Sequence, residues 1–289
     1  MTKKNLKKAA DWKAVKKLAK GLAARRPGDT FLAIVLDGAI RVGRDAKNPI
    51  RGNLLGAACR EALTHLLHVM APDREVRACQ WFVQAEDTET VTRAQRADYI
   101  ARGGLSSTYV EKTLGLSRKE YVRPLNRAIA LLNKLTHVKP DTVVDKHKPV
   151  VALAQDIFEA MGTLLDAADD CRKAVAEALR EAIDEQVMDR MISETIAELD
   201  ELSTHTFIDE IQVEDISVVE IGPEQIHLEV EGVVYVTLQY GSGSDVRRGD
   251  GATMDDSYPF EATVIVSSID PEKFEEVREP RVDNRSFYE

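Results

Sequence analysis

Ile226-His-Leu-Glu-Val230 and Val233-Val-Tyr-Val-Thr-Leu-Gln-Tyr240 place β-branched and aromatic residues at alternating positions on either side of Glu231-Gly232. Alternation with period two gives a strand one apolar face. Before Ser203 the dominant spacing is instead three and four, the spacing of helices. Val213–Val219 and Phe260–Val266 share the strand composition, and Gly222-Pro223, Glu231-Gly232 and the stretch from Gly241 to Pro259 divide the segments. The break at Ser203 decides the fold: an α+β protein, with a helical N-terminal part and a small antiparallel β domain over residues 203–270.

Upstream of that break, Val150, Ala154, Ile157, Met161, Leu164, Ala168, Cys171 and Val175 alternate spacings of four and three, and Leu179, Ile183, Val187 and Met191 continue the stripe. This predicts a long helical connector over 146–202, interrupted at most near Gly162 or Asp169-Asp170. The pattern fits a helical hairpin, a dimer seam or an ordinary core stripe. Leu54 to Met70 forms another apolar stripe, stopped by Ala71-Pro72-Asp73, whose opposite face carries Arg60, Glu61, Thr64, His65 and His68. Thr92 with Gln95 marks a helix start and Gly103-Gly104 its end. Ser106 or Ser107 caps a short helix, and Ser117 caps one that reaches His137, where Pro124 implies a kink or a split. Phe31 to Leu36 reads equally as a buried strand or as the first turns of a helix. The resulting scheme is a basic amphipathic segment at 1–29, a helical domain at 30–145, the connector, the β domain, and a charged loose tail at 271–289.

An apolar fraction of 44% and a charged fraction of 30% suit a chain that buries a core without staples. The longest strongly apolar run, Phe31 to Leu36, is too short for a bilayer, and the lysine-rich start lacks the apolar centre of a secretion signal. The expectation is a cytoplasmic protein with no membrane partner. Cys59, Cys79 and Cys171 are far apart, with neither the pairing of a disulfide framework nor that of a zinc knuckle. They are expected to be reduced core residues. The net charge of −10 is unevenly divided, since residues 1–26 hold ten Lys or Arg against the single acid Asp11. Such an arm either binds a polyanion or docks on the acidic remainder of the chain.

Leu131-Leu-Asn-Lys-Leu-Thr-His-Val-Lys-Pro140 ends a helix in a histidine. It resembles the last helix of the HEPN superfamily of helical ribonucleases and toxins, whose motif is an arginine, usually followed by a polar residue, with a histidine four to six positions later. Asn133 and His137 match, and Leu132 stands where the arginine is usual. The resemblance implies a HEPN-like helical bundle and RNA cleavage without metal or cofactor. In that chemistry a histidine moves protons near its ordinary pKa, and a guanidinium holds the charge of the phosphorane. Arg60-Glu-Ala-Leu-Thr-His65 offers both groups on an earlier helix, and antiparallel packing of the two helices would let Arg60 or Arg51 complement His137. The candidate catalytic residues are therefore His137, His65, Arg60, Asn133 and Arg51, with Lys134, Arg247 and Arg248 contacting the substrate.

Over Arg51 to Val144, the segments Arg60-Glu-Ala-Leu-Thr-His-Leu-Leu67, Met70-Ala-Pro-Asp-Arg-Glu-Val76, Thr92-Arg-Ala-Gln-Arg96 and Asn133-Lys-Leu-Thr-His137 resemble bacterial defence-island proteins labelled predicted pPIWI-associating nucleases. This resemblance implies an antiviral-defence or toxin role with other defence proteins beside it; RNA or other nucleic acid is the expected substrate partner, and the apolar stripe from Val150 to Met191 is what suits a homodimer. The alternative is a catalytically inactive HEPN-like interaction or regulatory subunit.

The loop Tyr240-Gly-Ser-Gly-Ser-Asp-Val-Arg-Arg-Gly-Asp-Gly251, followed by Asp255 and Asp256, holds four aspartates, but their spacing misses the calcium-loop pattern. Arg247 and Arg248 beside glycines suit an anion, and a plain hairpin connection with Asp250-Gly251 at its turn needs no ligand. Residues 106–130 have the rhythm of a DNA-reading helix pair, although Pro124 falls in the second helix and favours a pair inside a bundle. Phosphate-loop, nucleophile-elbow and zinc-helix motifs are all missing from the sequence, so nothing in it supports nucleotide, serine or zinc hydrolysis.

Overall fold

The computed structural model describes residues 11–278 and 280–289; residues 1–10 of the basic segment lie outside it. The chain is α+β and divides into two compact units. One takes in the described residues through Arg77, with Phe82–Arg102 and Leu116–Asp169; the other takes in Ala78–Trp81, Gly103–Gly115 and the chain from Asp170 onward.

The first unit is helical. It holds α1 (Trp12–Ala24), α2 (Thr30–Arg44), α3 (Arg51–Met70), most of α4 (Asp73–Ala78), α5 (Arg93–Arg102), α7 (Lys119–Thr136) and the first part of α8 (His147–Ser193). The short α6 (Ser107–Lys112) belongs to the second unit. Phe31 to Leu36 resolves as helix, because Asp29 caps it by accepting from the Leu32 N–H at 2.9 Å. Thr92 and Gln95 form the expected reciprocal cap: the Thr92 N–H donates to Gln95 Oε1 at 2.8 Å, and the Gln95 N–H to Thr92 Oγ1 at 3.2 Å. Pro124 neither splits nor ends α7, which runs through it.

Helix α1 is not a free arm. Val15, Ala19 and Leu22 are buried, and the Arg25 guanidinium reaches Asp166 at 2.5 Å and also bonds Asp169. The part of the basic segment that is described thus docks on acidic residues of its own chain.

The start of α3 is strapped to the loop that follows α7. Asn53, 2% exposed, donates to the carbonyls of Leu135 and Thr142 at 3.0 Å each and accepts from the Val144 N–H at 3.3 Å. Beside it, the Gly52 N–H bonds the Val144 carbonyl at 2.9 Å, and a Cβ on Gly52 would clash with Val144. Removing one member of such a network leaves the others buried and unpaired. Asn53→Ala is therefore expected to cost about 2–4 kcal/mol, read as a lower urea midpoint at unchanged slope. A shift below about 0.5 kcal/mol would show the strap to be dispensable. Helix α5 buries charge the same way: Asp98 accepts from Arg118 Nε and Nη2 at 2.6 and 2.7 Å and from the Tyr121 hydroxyl at 3.0 Å.

Helix α8 is continuous from His147 to Ser193, so neither Gly162 nor Asp169-Asp170 breaks it and no helical hairpin forms. Pro149 falls in its first turn, where no N–H partner is lost. The connector is not a separate body, since the helix contributes to both units. Its stripe is ordinary core: Cys171, Val175, Leu179, Ile183, Val187 and Met191 are each at most 4% exposed in one copy of the chain, which leaves no dimer seam on that face.

The second unit adds α9 (Ala197–Asp200) and a sheet of β1 (His205–Ile221), β2 (Gln225–Tyr240), β3 (Ala252–Ser267) and β4 (Phe274–Val277) in that order, with β5 (Arg281–Val282) also paired to β3. All pairings are antiparallel. The segment 271–289 is thus not a loose tail: it supplies β4, β5 and a 3-10 turn at Arg285–Tyr288. Glu231-Gly232 does not separate strands either. Gly232 pairs with Phe260 inside β2–β3, and a Cβ there would press on the Phe260 ring. Ile226, Leu228, Val230, Val234, Val236 and Leu238 on β2 lie on one face with Val266, Val264, Ala262, Tyr258 and Phe260 on β3. That face and the part of the α8 stripe from Cys171 to Met191 are both buried apolar surfaces of this unit.

Strand β1 carries three bulges against β2, each with one extra residue: Asp209, Glu214 and Val219. Gly103, at φ +55°, and Gly104 lie against the β1–β2 turn, where the Gly104 N–H donates to the Gly222 carbonyl at 3.0 Å. A Cβ on either would strike Ile221 or Pro223, so these glycines do more than end α5.

Candidate active site

His65, in the C-terminal half of α3, points at the N-terminus of α2. Its Nε2 lies 2.9 Å from both Asp29 carboxylate oxygens. A carboxylate only accepts, so in the neutral ring Nε2 carries the hydrogen and Nδ1 is the open base. Asp29 is doubly used, capping α2 and gripping the imidazole; its side chain is 9% exposed and that of His65 25%. Phe31 packs on the same ring, with centroids 4.7 Å apart and planes tilted by 54°. These groups border a cleft of about 490 Å³ whose lining also includes Arg25, Arg26 and Val69.

Desolvation pushes the Asp29 carboxyl upward, but the Leu32 N–H, the His65 ring and the Arg26 charge together outweigh it and hold the group below its usual 3.8. A folded pKa below the unfolded one gives stability that is complete above the unfolded value and is lost as pH falls through the folded one. Asn at position 29 keeps the cap and removes the charge. Asp29→Asn is therefore expected to flatten the loss of stability between about pH 5 and pH 2, read by urea denaturation across that range. Parallel profiles for both proteins would contradict the assignment.

The other candidates are dispersed. His137 is the exposed C-cap residue of α7; its carbonyl accepts from the Thr142 hydroxyl at 2.7 Å, and its imidazole bonds no described residue. Leu132, at the arginine position of the motif, is 1% exposed, so that position faces the core. Asn133 and Lys134 lie on the exposed side of α7. Arg51 is not available to a substrate: it is 5% exposed and donates Nε and Nη2 to the Asp145 carbonyl at 2.8 and 2.5 Å. Arg60 reaches the Thr136 hydroxyl at 3.3 Å, which sets it at the same end of α7 as His137. Arg60 and His65, close in sequence, thus serve different neighbours, one α7 and the other α2. Five residues turn a helix through about 140° beyond a full revolution, enough to separate them.

The stretch from Gly241 to Pro259 is less of a loop than expected. It contains α10 (Gly243–Arg248), capped reciprocally by Ser242 and Asp245, and the first half of β3. Arg248 is held by Asp245 at 2.6 Å and Asp250 at 3.6 Å, while Arg247 is exposed. Among the described residues no group of three or more His, Cys, Asp or Glu is arranged to hold a metal ion. The three cysteines are buried and in no disulfide, and burial pushes the Cys59 thiol up to about 12. No helix of the described residues is long and apolar enough to cross a membrane.

Asp29, Arg26, Phe31 and Val69 were absent from the sequence-derived site. The available signal was the Pro27-Gly28-Asp29 turn ahead of an apolar run, which marks a helix start with a carboxylate at its cap.

Two family models, both described as predicted pPIWI-associating nuclease, match residues 26–161 and 168–288. No curated protein and no solved structure matches the chain. The matches follow each other along the sequence with only 162–167 between them, and by both of them the chain belongs to the predicted pPIWI-associating nucleases.

Proposed function

We propose that this protein cleaves RNA by proton transfer at the His65–Asp29 pair, without a metal ion, as a cytoplasmic antiviral-defence or toxin component acting beside a pPIWI protein. The family description supports nuclease action. The observation that carries the reading is an imidazole gripped through Nε2 by a carboxylate, at the edge of a cleft that also holds the Arg26 guanidinium.

The ribose 2′-oxygen attacks the adjacent phosphorus while Nδ1 of His65 takes its proton. Arg26 stands on the cleft wall as the cation for the added negative charge of the phosphorane. The bond from phosphorus to the 5′-oxygen then breaks, and the imidazolium returns a proton to that oxygen. The products are a 2′,3′-cyclic phosphate and a 5′-hydroxyl, with His65 back in its starting form. The test incubates purified protein with single-stranded RNA in EDTA and analyses the termini. Cyclic phosphate and 5′-hydroxyl ends are expected; intact RNA, or cleavage only when divalent metal is added, overturns the reading.

A second reading is a catalytically inactive HEPN-like subunit that binds without cutting. Buried Leu132 and sealed Arg51 favour it, since both withhold a cation from His137. RNA bound but left whole in the same assay is its expected outcome.

A further inference from the structure

Phe31 lies in the first turn of α2 and is 50% exposed, although it is among the larger apolar side chains of the unit. Val69, one turn beyond His65 on α3, is 44% exposed, and Ile34, one turn beyond Phe31, is 69% exposed. Phe31 packs on the His65 ring, and Phe31 and Val69 line the same cleft as that ring. An aromatic side chain left half in water beside a catalytic group forgoes burial that the core would otherwise reward.

The cations around it are unequal. Arg25 is committed to Asp166 and Asp169 and holds the 25–29 turn in place. Arg26 forms no hydrogen bond or ion pair through its side chain to any described residue, while its charge is felt at Asp29. The cleft therefore presents an open aromatic face, an uncommitted guanidinium and an oriented imidazole within about 490 Å³, ample for one nucleotide.

From this we infer that Phe31 is a stacking platform for an unpaired base, with Arg26 on the neighbouring phosphate, so that the substrate class is single-stranded nucleic acid. The inference rests on the reading of His65 as the proton-transfer group and adds what positions the strand there. Stacking needs a base with a free π-face, which a duplex withholds, and it tolerates any sequence. A purely apolar partner surface would cover Phe31 and Val69 but leave Arg26 unpaired, whereas a nucleotide answers both, with its base on the ring and its phosphate on the guanidinium.

The experiment measures binding of a short fluorescein-labelled single-stranded RNA, and of the same strand in a duplex, to the full chain and to Phe31→Ala, Phe31→Trp, Arg26→Gln and His65→Ala. Wild type is expected to prefer the single strand. Phe31→Ala should weaken that binding about tenfold or more and erase the preference. Phe31→Trp should restore it, with the introduced indole quenched as RNA is added. Arg26→Gln should weaken binding and flatten its salt dependence. Equal affinity of wild type and Phe31→Ala, or no quenching in Phe31→Trp, overturns the stacking site, even where His65→Ala abolishes cutting. Phe31-dependent binding by a protein that never cuts RNA upholds the platform and removes the nuclease reading instead.

Discussion

His65→Ala is expected to lower RNA cleavage by about a hundredfold to ten-thousandfold, the range over which one positioned proton-transfer group contributes. The same variant should bind RNA nearly as well as wild type, because the phosphate cation and the stacking face remain. Asp29→Asn should also lose rate. An amide can donate to Nε2, which invites the opposite tautomer and places the hydrogen on Nδ1, where the base is needed. His137→Ala, by contrast, should leave the rate near wild type, since that imidazole is exposed beyond the end of α7 and is bonded to no described residue. Initial rates in EDTA on equal amounts of folded protein make the comparison. Wild-type cleavage by His65→Ala, or its loss in His137→Ala alone, would transfer the chemistry to the end of α7.

Leu132→Arg carries the second large effect, and it is an effect on folding. The substitution completes the HEPN-like motif in the sequence, and so invites the expectation of a gained active site. The position is 1% exposed, between the buried Ala128 and Leu135 of the same helix. An unpaired guanidinium there would cost about 3–5 kcal/mol, a large part of the stability of a typical domain. The expected result is a steep fall in the urea midpoint, or insoluble protein, and no added nuclease activity. A soluble Leu132→Arg variant of wild-type stability that cuts RNA faster would reverse both the structural and the functional assignment.

Much of the fold was legible because helices announce their ends. Thr92-x-x-Gln95 and Ser106 read as starts and act as starts, and the stripe from Leu54 to Met70 became one helix. The failures share a cause, which is that a local signal was read without its long-range partner. Gly232 looked like a turn, but its lack of a side chain is required by the Phe260 ring on the next strand. The charged end of the chain looked unstructured, but β3 offered it a ladder. Asp29 closes the basic segment without any local mark of a site, and its role depends on a histidine 36 residues away that no periodicity links to it. Arg51 and Arg60 had the right chemistry for a phosphate, but burial and packing decide what a guanidinium can reach. One carbonyl claims the first, and the second is turned toward α7.

The spacing of the extra residues in β1 has a consequence for the protein at high concentration. Asp209, Glu214 and Val219 recur every five positions along a border strand that pairs only with β2 among the described residues. A seventeen-residue strand with a clean outer row of amides would be a template for copies of itself. Here no run of regular spacing long enough to zip onto a neighbour survives between one interruption and the next, and two of the three interruptions carry an acid that repels its own image. Overproduction, whether in a stressed cell or in an expression host, should therefore not drive this sheet to grow by adding further chains along that border.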